Sequence, residues 1–256
     1  MTQLQGRTVV VVGAGDIGSE TAVRLLELGA LVRSWDRDQA ALDRLAVSVG
    51  PDVEGFTAET VDITDEDQVS GAAARALTTL GRIDGLVNTA AVLHLAPVAD
   101  LAVADWRRTL EVNLTGTFLC SRALLPALRS SGVGSIVTVS SIGGLAGAPE
   151  MAHYCASKFG ILGLTQSLAM EEGPNGIRVN AVCPGAVDSR MNDETLMMYA
   201  SRLGLEREAV FEDVIARTPL GRLARPRDVA DTIAYLLSDL SSFVTGESIA
   251  VTGGLR

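Results

Sequence analysis

The chain has 256 residues, with 21 Lys and Arg against 31 Asp and Glu, a formal net charge of -10. That balance argues against a nucleic acid or an anionic membrane surface as partner. No run of about 18 uncharged apolar residues is present to span a bilayer, aromatics are only 4%, and 26 glycines fit an α/β core with many tight strand–helix turns.

Strands and helices are predicted to alternate almost from end to end. Residues 8–12 are a short β-branched apolar run, as a strand buried on both faces requires. A helix follows over 18–28 and stops at Gly29. Residues 30–35 read as the second strand and 38–49 as the second helix. The third strand covers 55–61, and the next helix is expected to open on Thr64 as N-cap, with Asp67 three residues on. Leu86 and Val87 mark the fourth strand. Residues 105–131 read as one helix or a broken pair, with Pro126 near the end. Residues 135–139 form the fifth strand, 152–172 a long helix ended by Gly173 and Pro174, and 178–182 the sixth strand. Residues 193–217 look helical but irregular, 228–237 helical, and 248–251 a last strand. This order implies α/β architecture: a single-domain doubly wound parallel sheet, Rossmann-like, of about seven strands with helices on both faces, spanning 1–256. No linker or internal repeat interrupts it.

Residues 1–7 lack the basic-then-apolar pattern of a signal peptide. Cys120, Cys155 and Cys183 are an odd number without metal-type spacing. Buried free thiols in a reducing cytoplasm are expected.

The first strand runs into Gly13-Ala14-Gly15-Asp16-Ile17-Gly18 and then a helix. This is G-x-G-x-x-G in the strand–turn–helix context that the motif needs. Its glycines allow a tight turn and a close backbone approach to a pyrophosphate, and the helix N-terminus supplies N–H groups and a positive dipole end. Asp36 lies 18 residues past Gly18, near the expected position of a carboxylate for the adenosine ribose hydroxyls. Its charge would repel a 2′-phosphate, which favours NAD over NADP. Arg37 beside it works in the opposite direction.

Tyr154 and Lys158 stand four residues apart, on one helix face, with Cβ atoms about 5–6 Å apart. The ammonium is expected to lower the phenol pKa from about 10 toward the working pH of a general acid/base. Ser141, thirteen residues before the tyrosine, ends the apolar fifth strand, where its hydroxyl can hold a substrate oxygen. From these residues alone, a chance Tyr/Lys pair on a surface helix is the competing reading.

Together these features closely resemble the short-chain dehydrogenase/reductase family over nearly the whole chain. The resemblance makes Ser141, Tyr154 and Lys158 catalytic. It adds Asn113, in Glu111-Val112-Asn113-Leu114-Thr115-Gly116, as the helix asparagine that completes the tetrad through a water bridge to Lys158. It assigns Asp62 to the adenine amino group, with Ile63 beside it. Asn88 and Ala90 belong to a segment like the family's Asn-Asn-Ala-Gly. Arg178 to Gly185 resembles the strand-six segment, with Pro184 and Gly185 at its end. The backbone of Val187 is then expected to hold the nicotinamide carboxamide, with Ser189 beside it. Gly13, Gly15, Asp16, Ile17, Gly18, Asp36 and Arg37 complete the implied cofactor wall, and Tyr154 and Lys158 reach it from the catalytic side. Three positions depart from the family pattern. Val12 replaces a threonine before a glycine turn that is one residue shorter, Thr89 replaces the second asparagine, and Ala91 replaces a glycine. Val12 and Thr89 are expected to sit together on adjacent strands.

The implied activity is NAD-dependent interconversion of a secondary alcohol and its ketone. Segment 188–218 is the expected substrate lid. Met191, Met197, Met198, Tyr199 and Leu203 in it suit a small to medium apolar or alicyclic substrate; Arg190 and Arg202 are the cations there. A polyol or sugar dehydrogenase, and a nucleotide-binding sensor or scaffold of the same fold, are the alternatives, and an epimerase or dehydratase would need a larger C-terminal part. His94 is a candidate to face the substrate; His153 is expected at the surface, with a place lining the substrate mouth as the alternative. Relatives imply a homotetramer that pairs helices 105–131 and 152–172, with the last strand forming a second contact.

Overall fold

The computed structural model describes residues 4–51 and 53–255. Its strands are β1 (Thr8–Val12), β2 (Leu31–Asp36), β3 (Phe56–Thr60), β4 (Gly85–Asn88), β5 (Ser135–Val139), β6 (Arg178–Pro184) and β7 (Ser248–Val251). They form one sheet in the order β3-β2-β1-β4-β5-β6-β7, and every pairing is parallel. The helices are α1 (Asp16–Glu27), α2 (Gln39–Val49), α3 (Glu66–Leu80), α4 (Val103–Leu110), α5 (Gly116–Ser131), α6 (Ala152–Glu172), α7 (Arg190–Leu203), α8 (Arg207–Ala216) and α9 (Pro226–Leu237).

Strand side chains alternate between the two sheet faces, and the core divides accordingly. Val9 and Val11 pack with Ala22 and Leu25 of α1, Leu42 and Leu45 of α2, and Ile233 and Leu236 of α9. Val10 and Val12 pack with Val69 and Ala72 of α3 and Leu119 and Leu124 of α5. Burial on both faces is why β1 reads as an unbroken apolar run. The result is the doubly wound, Rossmann-like domain that the alternation implies.

Several boundaries differ from expectation for identifiable reasons. The N-cap of α3 is Asp65, whose side chain accepts from Asp67 N and Gln68 N. Thr64 is already engaged: Asp62 Oδ1 accepts from its hydroxyl at 2.7 Å and its N–H at 2.9 Å. The region 105–131 is one unbroken helix, with a π turn inside it. A π turn, Glu111–Thr115, joins α4 to α5 without a break, and Pro126 sits inside α5. The irregular stretch after Ser189 resolves into α7 and α8. Cys120, Cys155 and Cys183 are buried and free.

Candidate active site

The strand order reverses direction between β1 and β4, and ligands of doubly wound sheets bind in the crevice beyond the strand C-termini at such a point. The sequence-predicted residues collect at that edge: β1 ends before Gly13, β2 on Asp36, β4 on Asn88, β5 just before Ser140 and Ser141, and β6 just before Gly185.

At the nucleotide end, Gly13 has φ +99. A Cβ added there would lie 2.6 Å from Thr89 Oγ1 and 2.8 Å from Ala90 N; one added at Gly18 would lie 1.9 Å from Gly13 O. Gly15 faces open space at the N-cap of α1, where no side chain caps the helix N–H groups. Both contacts and space fit a pyrophosphate laid against the backbone. Asp36 Oδ2 accepts from Ala14 N at 2.7 Å and Oδ1 from Asp38 N at 2.9 Å, so the carboxylate is fixed at the β2 tip beside the turn. Arg37 is exposed next to it. Ile17 and Ala90 are partly buried against the core and Ile63 is fully packed within it. Asp62 carries the Asx turn to Thr64 on one oxygen. Asn88 Nδ2 reaches Ser121 Oγ and Thr138 Oγ1, both at 3.4 Å, while its buried Oδ1 has no protein partner. The residues fit a dinucleotide cofactor.

Three predicted cofactor residues have further tasks. Asp16 Oδ2 accepts from Arg190 N at 2.8 Å, which ties the glycine turn to the start of α7. Ser189 caps α7 by accepting from Asn192 N. Val187 bridges to Ala224. Pro184 ends β6 opposite Val251, and Gly185 lies so close to Thr252 that a Cβ would stand 3.2 Å from its Cα.

The tetrad converges. Ser141 Oγ and Tyr154 Cε1 both lie within 3.5 Å of where a Gly143 Cβ would stand. Ser141 Oγ accepts from Gly143 N at 3.1 Å. Lys158 Nζ donates to Val139 O at 2.9 Å and lies 5.5 Å from the Tyr154 ring centre. Asn113, in the π turn, is fully buried. Its Oδ1 accepts from Val92 N at 2.8 Å, and its Nδ2 donates to Val92 O at 3.0 Å and to Ser157 Oγ at 3.1 Å. Ser157 Oγ donates in turn to Tyr154 O at 2.7 Å. Sequence reasoning missed Ser157 as a link. Its signal was its place between Tyr154 and Lys158, three residues past the tyrosine.

The electrostatics correct one expectation. Burial pushes Tyr154 up to about 12, against the pull of a hydrogen bond with Ser141. Burial likewise pushes Lys158 down from 10.5 to about 8. Desolvation disfavours both charged forms and outweighs the lowering of the phenol that the spacing suggested.

A second correction concerns His153, which is fully buried rather than at the surface. Its Nε2 lies 3.1 Å from Nδ1 of His94, and His94 Nε2 lies 3.8 Å from Asp105 Oδ2. Nearby, α7 is clasped to the catalytic side: Arg202 pairs with Glu150 and donates to Leu95 O at 2.7 Å, and Tyr199 Oη donates to Pro149 O at 3.3 Å.

Known proteins resemble this chain over nearly its whole length. The family described as enoyl-(acyl carrier protein) reductase matches residues 13–256. The chain is 38% identical to 2-(S)-hydroxypropyl-CoM dehydrogenase 3 of Xanthobacter autotrophicus, over 99% of this chain and 98% of that protein. It is 40% identical to cis-4-hydroxycyclohexanecarboxylate dehydrogenase of Sinomonas cyclohexanicum, over 97% and 96%. The crystal structure of an actinorhodin polyketide ketoreductase variant with NADPH superposes with a TM-score of 0.94 at 32% identity, covering 100% of this chain and 99% of that one. The chain belongs to the short-chain dehydrogenase/reductase family of oxidoreductases.

Proposed function

We propose that the protein oxidises a secondary alcohol to its ketone, or the reverse, with NAD as hydride carrier and Tyr154 as the acid/base group. The observation that carries this reading is the convergence of Ser141, Tyr154 and Lys158 at the sheet edge that also holds the Asp36-tied glycine turn. Ser141 orients the substrate oxygen. Tyr154 takes the hydroxyl proton on oxidation and returns it on reduction. Lys158 sets the local potential at the phenol, and Asn113 with Ser157 fixes the first turns of α6. When bound, NAD supplies the hydride acceptor and a positive charge that favours the phenolate. Gly13, Gly15, Gly18, Asp36, Asp62, Asn88, Val187 and Ser189 would hold it. Asp36, anchored by two backbone N–H groups, supports NAD over NADP, although the ketoreductase neighbour was solved with NADPH.

The substrate is a small to medium apolar or alicyclic alcohol. The methionines of α7 and the cyclohexane-ring substrate in the name of one relative support this. Segment 188–218 acts as the lid, the assembly is a homotetramer, and the setting is the cytoplasm.

The test combines nucleotide titration with absorbance at 340 nm across a panel of secondary alcohols. Tyr154→Phe must abolish turnover while NAD binds as before. Near-normal turnover in that variant would sink the mechanism. NAD binding without turnover on any alcohol would favour a sensor protein, a reading that one relative named as an inactive dehydrogenase keeps in view.

A further inference from the structure

We infer that Thr89 is a positioning residue for the cofactor. Its hydroxyl fills the space left by the shortened glycine turn and sets that turn's backbone. This inference rests on the NAD-binding reading above.

The turn is pinned from two strands. On the β2 side, Gly13 N donates to Trp35 O at 2.7 Å and Ala14 N to Asp36 Oδ2 at 2.7 Å. On the β4 side, three donors converge on one carbonyl: Thr89 N at 2.8 Å, Ala90 N at 3.1 Å and Thr89 Oγ1 at 2.8 Å all reach Val12 O. The same hydroxyl oxygen lies 3.2 Å from Gly13 O. It also stands 2.6 Å from the position of a Cβ on Gly13 and 2.6 Å from that of a Cβ on Gly18. The hydroxyl is therefore wedged between the first and third glycines of the motif. A methyl in its place would sit against two carbonyl oxygens at hydrogen-bond distance, inside the roughly 3.3–3.6 Å that carbon–oxygen contacts adopt. The turn would have to move, and with it Gly15 and the α1 N-terminus. An asparagine in the same rotamer would put a carbon carrying two further polar atoms where Thr89 Oγ1 now stands, 2.6 Å from the position of a Cβ on Gly18. Thus the short turn and the threonine fit together in this chain, and the asparagine of the family pattern is expected to loosen the turn.

The experiment measures NAD and NADP dissociation constants by titration, alcohol KM and kcat at saturating nucleotide, and amide hydrogen exchange of residues 13–18 in the cofactor-free protein. Thr89→Val is expected to weaken NAD about tenfold and to accelerate exchange in the turn, with a larger loss in nucleotide affinity than in kcat at saturating nucleotide. Thr89→Ser, which keeps the hydroxyl, restores both readouts. Thr89→Asn weakens NAD at least as much as Thr89→Val. The inference is overturned if Thr89→Val binds NAD and exchanges as wild type does, if Thr89→Ser fails to restore them, or if Thr89→Asn binds more tightly. Should the wild-type protein bind neither nucleotide, the functional reading falls, and the exchange of the turn still decides whether Thr89 braces it.

Discussion

Lys158→Met should make the protein more stable while removing its activity. Lys158 is buried, and its pKa falls from 10.5 to about 8 on folding. Below pH 8 the lysine is protonated in both states, and the fold carries the full penalty of burying the charge. Between 8 and 10.5 the unfolded chain holds more protons than the folded one, so raising the pH favours the fold; above 10.5 the penalty is gone. At about 1.36 kcal/mol per pH decade, the penalty at pH 7 is about 3 kcal/mol. Methionine removes it but leaves Val139 O without the Nζ donor, a loss of about 1 kcal/mol. The net gain is about 2 kcal/mol, or about 4–8 °C in Tm for a domain of this size. Thermal unfolding of both proteins from pH 7 to 10.5 checks it: the gap should narrow steadily as pH rises. A methionine variant less stable than wild type at pH 7, or a gap independent of pH, would refute the reasoning.

Three further outcomes are expected. Gly18→Ala places a methyl 1.9 Å from Gly13 O, so titration should show NAD binding lost and calorimetry a lower Tm. Ser157→Ala cuts the link from Asn113 to the Tyr154 carbonyl; kcat should fall about tenfold, the range of a lost supporting hydrogen bond, with NAD affinity unchanged. His153 is held below 6.5 by burial first and by His94 second, against the pull of Asp105. Its depressed pKa means that stability is lost as pH falls below 6.5, and denaturant unfolding of His153→Gln should show a weaker decline from pH 7 to 5.

What the sequence made legible was local or repetitive. The alternation of Val9 and Val11 with Val10 and Val12 needs only period-two geometry, and α6 was bounded by its own Gly173 and Pro174. The Tyr154/Lys158 spacing survived because i and i+4 share a face wherever the helix lies. What escaped needed a distant partner. His153 looked like a surface residue because nothing near it in the chain announces His94, 59 residues away. The phenol pKa was misjudged because the lysine was legible and the burial around both groups was not. Thr64 lost the N-cap to its neighbour Asp65, a one-residue competition settled by Asp62. Thr89 was expected beside Val12 on a neighbouring strand, but its hydroxyl contacts with Val12 O and Gly13 O needed the folded turn to be seen.

The π turn carries a constraint on how this protein can vary. An α-helix advances about 100° per residue, and a π turn accommodates one residue more than the α-helical repeat. Deleting one residue of Glu111–Thr115 would remove the surplus residue, restore ordinary winding with α4 and α5 in phase, and re-aim the side chains of the turn. Asn113 could then no longer meet the backbone of Val92 and the hydroxyl of Ser157 together. A length change in this helix is therefore far less tolerable than a substitution, although the sequence around it carries no visible mark of a boundary.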